Sequence, residues 1–133
     1  MRVRYSFIHC IGQLAEDFSV VEEGPNFQQT FGPIVLPVLM ESLHGPNAGC
    51  PRVQALVASA FINFCEPEHC ESAILEPYLD QIMHAMFALL QSSPVFVQEQ
   101  VFTAVANLAQ VHIYLYPYLC IYVYVYICVH LCM

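Results

Sequence analysis

The chain has 133 residues, with 11 acidic and 3 basic side chains and a formal charge of −8. So few Lys and Arg exclude a nucleic-acid binder, whose phosphate contacts need them, and the acidity favours basic protein segments as partners. The chain is 58% hydrophobic and 11% charged, against about 45–50% and about 25% in soluble domains, and part of that skew comes from the last two dozen residues.

The first helix is expected over residues 2–18, MRVRYSFIHCIGQLAEDF from Met1. Ser6, His9, Gly12 and Gln13 break its apolar run, so it does not read as a signal peptide. Its pattern is already under way at Met1, as in a piece of a longer protein. Ser19–Asn26 is a polar loop with Glu22, Glu23, Gly24 and Pro25. A second helix over 27–43 places Phe27, Phe31, Ile34, Val35, Val38, Leu39 and Leu43 on one stripe, and Pro33 and Pro37 predict a kink or a late start near Pro33. His44–Pro51 is a turn, punctuated by Gly45, Pro46, Asn47 and Gly49. The third helix, over 52–65, carries Val53, Leu56, Val57, Ala60, Phe61 and Phe64 at helical spacing, with Pro51 suited to its first turn. An acidic loop or short helical turn follows over Glu66–Glu76. The next helix, 77–91, aligns Leu79, Ile82, Met83, Met86, Phe87 and Leu90, and Ser92–Pro94 turn the chain into a last helix over 95–110.

Three of these helices repeat one pattern. Setting Val3, Val53 and Val97 in register aligns Arg4 with Gln54 and Gln98, Ile11 with Phe61 and Val105, and Leu14 with Phe64 and Leu108. Gly12, Ile62 and Ala106 then share a column. The register valines are 50 and 44 residues apart, close to the roughly 40–47 of HEAT or armadillo units. The fold class expected over residues 1–110 is therefore all-α, a HEAT-repeat α-solenoid of about two and a half repeats. The three matching helices form an inner layer and the other two an outer one.

Residues 111–133 form an anomalous Tyr-rich apolar tail. They contain no Asp, Glu, Lys or Arg, and Tyr stands at 114, 116, 118, 122, 124 and 126. The run is long enough to span a bilayer, but Tyr belongs at membrane interfaces and Pro117 breaks a helix. Its residue types are nearly all encoded by codons that alternate purine with pyrimidine, which points to translated non-coding sequence. A continuous spliced reading frame through the tail would remove that reading.

Seven cysteines at 10, 50, 65, 70, 120, 128 and 132 show no disulfide-framework spacing and imply a reducing compartment. Cys10 and Cys65 are expected on buried helix faces. Cys65, His69 and Cys70 beside Glu66, Glu68 and Glu71 lack the paired spacing of a zinc site, as does the Cys128, His130, Cys132 run. No metal or cofactor is expected. Asp17, Asp80 and Glu99 are scattered over different helices and there is no Gly-rich phosphate loop, so no enzyme activity is expected. Asn63 and Asn107 each stand ten residues after a register valine. They serve either as local helix-end hydrogen bonds or as an amide ladder holding an extended peptide on the concave surface. Glu66 and Glu99 would add negative charge there for Lys and Arg of a partner.

The stretches RVRYSFIHCIGQLAEDF (2–18), PRVQALVASAFINFCE (51–66), ILEPYLDQIMHAMFALLQ (74–91) and VFVQEQVFTAVANLAQ (95–110) resemble, in order and spacing, the importin-β (karyopherin-β) superfamily. Within it they are most similar to the importin-5, or karyopherin-β3, branch. The resemblance covers about residues 2–110. It implies a middle piece of a superhelical nuclear transport receptor that shuttles between cytoplasm and nucleus. Its partners would be basic cargo proteins, Phe-Gly nucleoporins and the Ran GTPase. The arm that holds most Ran contacts in the family has no counterpart here, and the Pro46–Gly49 turn and the added cysteines depart from the pattern. Two other readings are a generic HEAT scaffold, and a small membrane-anchored protein using 111–133 as a span.

Overall fold

A computed structural model describes residues 2–44, 49–111 and 125. The expectations placed on the tail therefore lie, apart from Val111 and Val125, outside the described residues, as does most of the turn after His44. The described elements are α1 (Arg2–Asp17), α2 (Phe27–His44), α3 (Pro51–Phe64), α4 (Ser72–Leu75), a 3-10 turn (Glu76–Tyr78), α5 (Leu79–Ser92) and α6 (Val95–Val111). Among the described residues there is no strand, and no helix is long and apolar enough to cross a membrane.

The helices form two layers. In one, α3 lies between α1 and α6 and packs extensively on both. In the other, α2 packs against α3, α1, α4 and α5, and α5 packs against α6. This is the HEAT-type solenoid stack expected from the repeat register.

Two prolines set where inner helices begin. A residue before proline is pushed into extended backbone, and Cys50 (φ −83°, ψ 110°) and Ser93 (φ −101°, ψ 159°) both take it. The chain turns helical at once thereafter. The Cys50 carbonyl accepts from Val53 and Gln54 N–H, both at 3.0 Å, and the Pro94 carbonyl from Val97 and Gln98 N–H at 2.9 and 3.1 Å.

The register columns are the core. Phe61 and Val105, and Phe64 and Leu108, are fully buried beside Leu36, Leu39, Ile82 and Met86. Burying a side chain of this size is worth about 1.5–3 kcal/mol. Only α1 departs: Val53 and Val97 are 2% and 0% exposed while Val3 is 84% exposed. Likewise Val57 and Val101 are buried and Phe7 is not. Among the described residues, packing that closes these columns in α3 and α6 is lacking on that side of α1.

Helix α2 begins at Phe27 and runs through both prolines, so of the kink or late start expected near Pro33 the late start does not occur. Pro33 and Pro37 are both exposed, so the carbonyls that lose their helical N–H partner, those of Gln29 and Pro33, lie toward water. The buried face is also rotated: Gln28, Gly32, Leu36 and Met40 are buried with Phe27, Val35 and Leu39, whereas Phe31 and Ile34 are exposed.

The start of α2 is fixed by a reciprocal cap. Gln29 N–H donates to Asn26 Oδ1 and Asn26 N–H to Gln29 Oε1, both at 2.9 Å, a capping-box arrangement. The same pair ties this loop to the next one. Asn26 Nδ2 donates to the His69 carbonyl at 2.8 Å and Gln29 Nε2 to Glu71 Oε1 at 2.7 Å. Further along, α4 approaches α2 so closely at Gly32 that an added Cβ would lie 2.6 Å from Ile74 Cγ2.

Candidate functional site

The solvent side of the inner layer is built from a few repeat columns. One before the register valine stand Arg52 and Phe96; two after it stand Tyr5, Ala55 and Glu99. Three after it stand Ser6, Leu56 and Gln100, and six after it His9, Ser59 and Thr103. Helical periodicity puts these positions on one face, opposite the buried columns. Stacking three such faces makes a groove of about 920 Å³ across α1, α3 and α6, lined among others by Tyr5, Arg52, Leu56, Ser59, Phe96 and Glu99.

A smaller pocket of about 240 Å³ adjoins it, sharing Leu56 and Ser59 and continuing to His9, Gly12, Glu16 and Asn63. There Gln13 Nε2 donates to Glu16 Oε2 at 3.0 Å, and Asn63 Nδ2 reaches the same oxygen at 3.4 Å. Among the described residues the face therefore offers aromatic edges, amides, hydroxyls and two carboxylates, with one guanidinium at Arg52.

The four residues singled out from sequence are distributed over this face unevenly. Glu99 lines the groove and Asn63 the adjoining pocket. Asn107 lies two turns beyond Glu99 on α6. Glu66 follows the C-terminal end of α3, is exposed, and opens the loop in which its carbonyl accepts from His69 and Cys70 N–H at 3.0 and 2.9 Å. It lines neither cavity. Both asparagines donate across the layer to backbone: Asn63 Nδ2 to the Gly12 carbonyl and Asn107 Nδ2 to the Ile62 carbonyl, each at 3.1 Å.

Sequence reasoning missed Tyr5, Arg52, Ser59, Phe96 and Glu16. The signal was present: once the valines are aligned, Tyr5 shares the column of Glu99, Arg52, Phe96 and Ser59 fall in columns on the same helical face, and Glu16 shares the column of Glu66.

The loop cysteines play a different part. Cys65 is fully buried and Cys70 nearly so. Burial pushes the Cys65 thiol well above its ordinary value, and hydrogen bonding and charge from the neighbouring Cys70 add to this. A thiol so placed stays protonated at neutral pH and packs as a small hydrophobe. Cys10, expected to be buried, is exposed, because Ile8, Ile11 and Ala15 take the packed side of α1. Among the described residues no three His, Cys, Asp or Glu side chains converge as metal ligands would.

Stacked helix pairs in a shared register, with a continuous groove over one layer, define a helical-repeat solenoid. Comparison with known proteins makes the class specific. The chain is 38% identical over 109 residues to importin subunit beta-3 of Saccharomyces cerevisiae (strain S288c), a match covering 82% of this chain. It belongs to the importin-β (karyopherin-β) superfamily, and it spans only 9% of the length of that relative. No family model matches the chain, and no solved structure matches it.

Proposed function

We propose that the chain is a cargo-binding stretch of a nuclear transport receptor that works by binding without chemistry. The observation that carries this reading is the match to an importin subunit over 82% of the chain. The charge of −8 fits partners with basic segments. On this reading a basic cargo segment lies along the inner-layer groove, with Glu99 and Glu16 facing its Lys or Arg. Asn63 and Asn107, whose Nδ2 groups hold backbone carbonyls of the neighbouring helix, offer the cargo their side-chain oxygens, and Glu66 adds charge at the rim. The outer layer offers a separate crevice of about 660 Å³ between α2 and α5, with Met40, Glu41, His44, Tyr78 and His84 among its walls. It is less apolar than expected of a Phe-Gly nucleoporin site, yet Met40 and Tyr78 give such a repeat something to pack on. Ran contacts and shuttling between cytoplasm and nucleus belong to the whole receptor and are proposed at that level.

The test is a fluorescence titration of the full chain with a basic nuclear-localisation peptide at low and physiological salt. Binding that weakens with salt, as solvent-exposed charge contacts do, and vanishes with a charge-reversed peptide supports the reading. Equal binding of both peptides contradicts it and returns the chain to a generic HEAT scaffold.

A further inference from the structure

The chain has only three basic residues, and none lies in the last turns of α1, α3 or α5. Helix C-termini leave carbonyls without a helical partner, which Lys and Arg often serve. Here side-chain amides from other helices do so. Gln28 Nε2 donates to the Ala15 carbonyl at the end of α1 at 3.1 Å, and Gln98 Nε2 to the Leu90 carbonyl near the end of α5 at 2.8 Å. Asn107 does the same for Ile62 near the end of α3.

Two of the amide bonds also follow the repeat. Asn63 and Asn107 both stand ten residues after a register valine, and their acceptors Gly12 and Ile62 both stand nine after the preceding one. The same donor column meets the same acceptor column at both inner-layer junctions. The buried faces that meet there are rich in small residues, including Gly12, Ala58, Ala60 and Ala104. Smooth faces of this kind give few ridges to resist sliding along the helix axis. A slip of one residue is about 1.5 Å, enough to carry a 3.1 Å amide bond beyond the about 3.2 Å limit of good geometry.

We propose that Asn63 and Asn107 are clips that set the axial stagger of successive inner helices, and so position the side chains that line the groove. They act as positioning residues. The alignment of Glu99 on α6 with Arg52 on α3 and Tyr5 on α1 depends on them. A further helix stacked on α6 in the same register would bring its own amide to the Ala106 carbonyl, the next member of the acceptor column. The clip itself needs only the fold; its consequence for ligand recognition rests on the reading of the groove as the cargo face.

The experiment is solution NMR on the isotope-labelled full chain, read without any ligand so that failure of the cargo reading leaves it untouched. Through-hydrogen-bond couplings are expected from Asn63 Nδ2 to the Gly12 carbonyl carbon and from Asn107 Nδ2 to the Ile62 carbonyl carbon. Both side-chain amides should exchange about fivefold or more slowly than the exposed Gln110 amide, the protection one net hydrogen bond gives. Asn107→Asp keeps the shape and removes the donor at neutral pH. It should lose the coupling and move the Ile62 carbonyl resonance and the α3–α6 contacts. Protonating the new carboxyl at acid pH, above its ordinary range because the neutral form donates to the Ile62 carbonyl, restores a donor and should reverse those shifts, while the unsubstituted chain shows no such pH response. If the variant does not fold, the couplings in the unsubstituted chain decide alone. Absent couplings with exchange as fast as at Gln110 overturn the clip, as does an Asn107→Asp spectrum whose α3–α6 contacts are unchanged.

Discussion

Substituting Gly32 by Ala sets a backbone gain against a steric loss. A Cβ at Gly32 would stand 2.6 Å from Ile74 Cγ2 and 3.5 Å from Phe64 Cζ. Carbon atoms pack best at about 3.5–4.0 Å, so the first contact overlaps by roughly 1 Å. Ile74 cannot swing clear easily. It is β-branched in a helix, where one χ1 rotamer dominates, and its N–H bonds to the Glu71 carbonyl at 3.1 Å. Overpacking of this kind costs about 1–3 kcal/mol, while Gly to Ala within a helix returns about 0.8–1 kcal/mol. Gly12→Ala is the control. Its Cβ would lie 3.4 Å from Ala60 Cα and 3.6 Å from Ala60 Cβ, close to ordinary contact, so it keeps most of the helix gain. Because the helix gain is common to both, the difference between the variants isolates the clash. Urea unfolding of the full chain should place Gly32→Ala about 1–3 kcal/mol below Gly12→Ala, and adding Ile74→Ala should recover part of that through coupling at the shared contact. Equal midpoints for the two single variants would refute the packing of α2 on α4 described above.

Other perturbations bear on other parts of the molecule. The folded-state pKa of Cys65 is raised, so its stabilising contribution is full below the ordinary value of 9.0 and is lost as pH rises through the higher folded value. Stability should therefore fall above about pH 9 by up to about 1.4 kcal/mol per pH unit. Cys65→Ala should show a shallower fall in urea midpoint under reducing conditions; an unchanged slope would contradict the buried thiol. Asn26→Ala removes the α2 cap and the link to His69 and should cost about 1–2 kcal/mol, read as a lower thermal midpoint. Phe7 and Ile34 are 53% and 66% exposed and border an apolar groove of about 520 Å³ between α1 and α2. Such a patch promotes association, so Phe7→Glu with Ile34→Glu should shift sedimentation toward monomer, and unchanged association would place the contact elsewhere.

The fold was legible where a helix has one apolar stripe. In α3 and α5 polar and small residues mark the other faces, and Val53, Val57, Phe61 and Phe64, like Ile82, Met83 and Met86, are buried as their spacing implies. Helix α2 is apolar nearly all round, so its stripe could be drawn in more than one place. The exposed prolines, and the burial of Gln28 and Gly32, show which way it faces. Cys10 misled because a thiol is counted as apolar wherever it stands. The groove was legible only as columns: alignment of the valines groups Tyr5 with Glu99 and Ser59 with His9, but says nothing of how closely the helices stack. The asparagines show the remaining gap. Register places Asn63 and Asn107 correctly within the repeat, yet their acceptors lie 51 and 45 residues away in sequence, a pairing that only the stacking of α1, α3 and α6 creates.

The most direct test of the binding face is a residue-resolved map. The full chain, labelled with ¹⁵N, would be titrated with a basic nuclear-localisation peptide at low salt and its backbone shifts followed. Shifts should concentrate on the inner-layer columns, at Tyr5, Ser59, Glu99 and Gln100, and Glu99→Lys should weaken binding about two- to fivefold, as an exposed charge contact does. Shifts centred on the α2–α5 crevice, or no shifts from a chain whose spectrum shows it folded, would contradict the account.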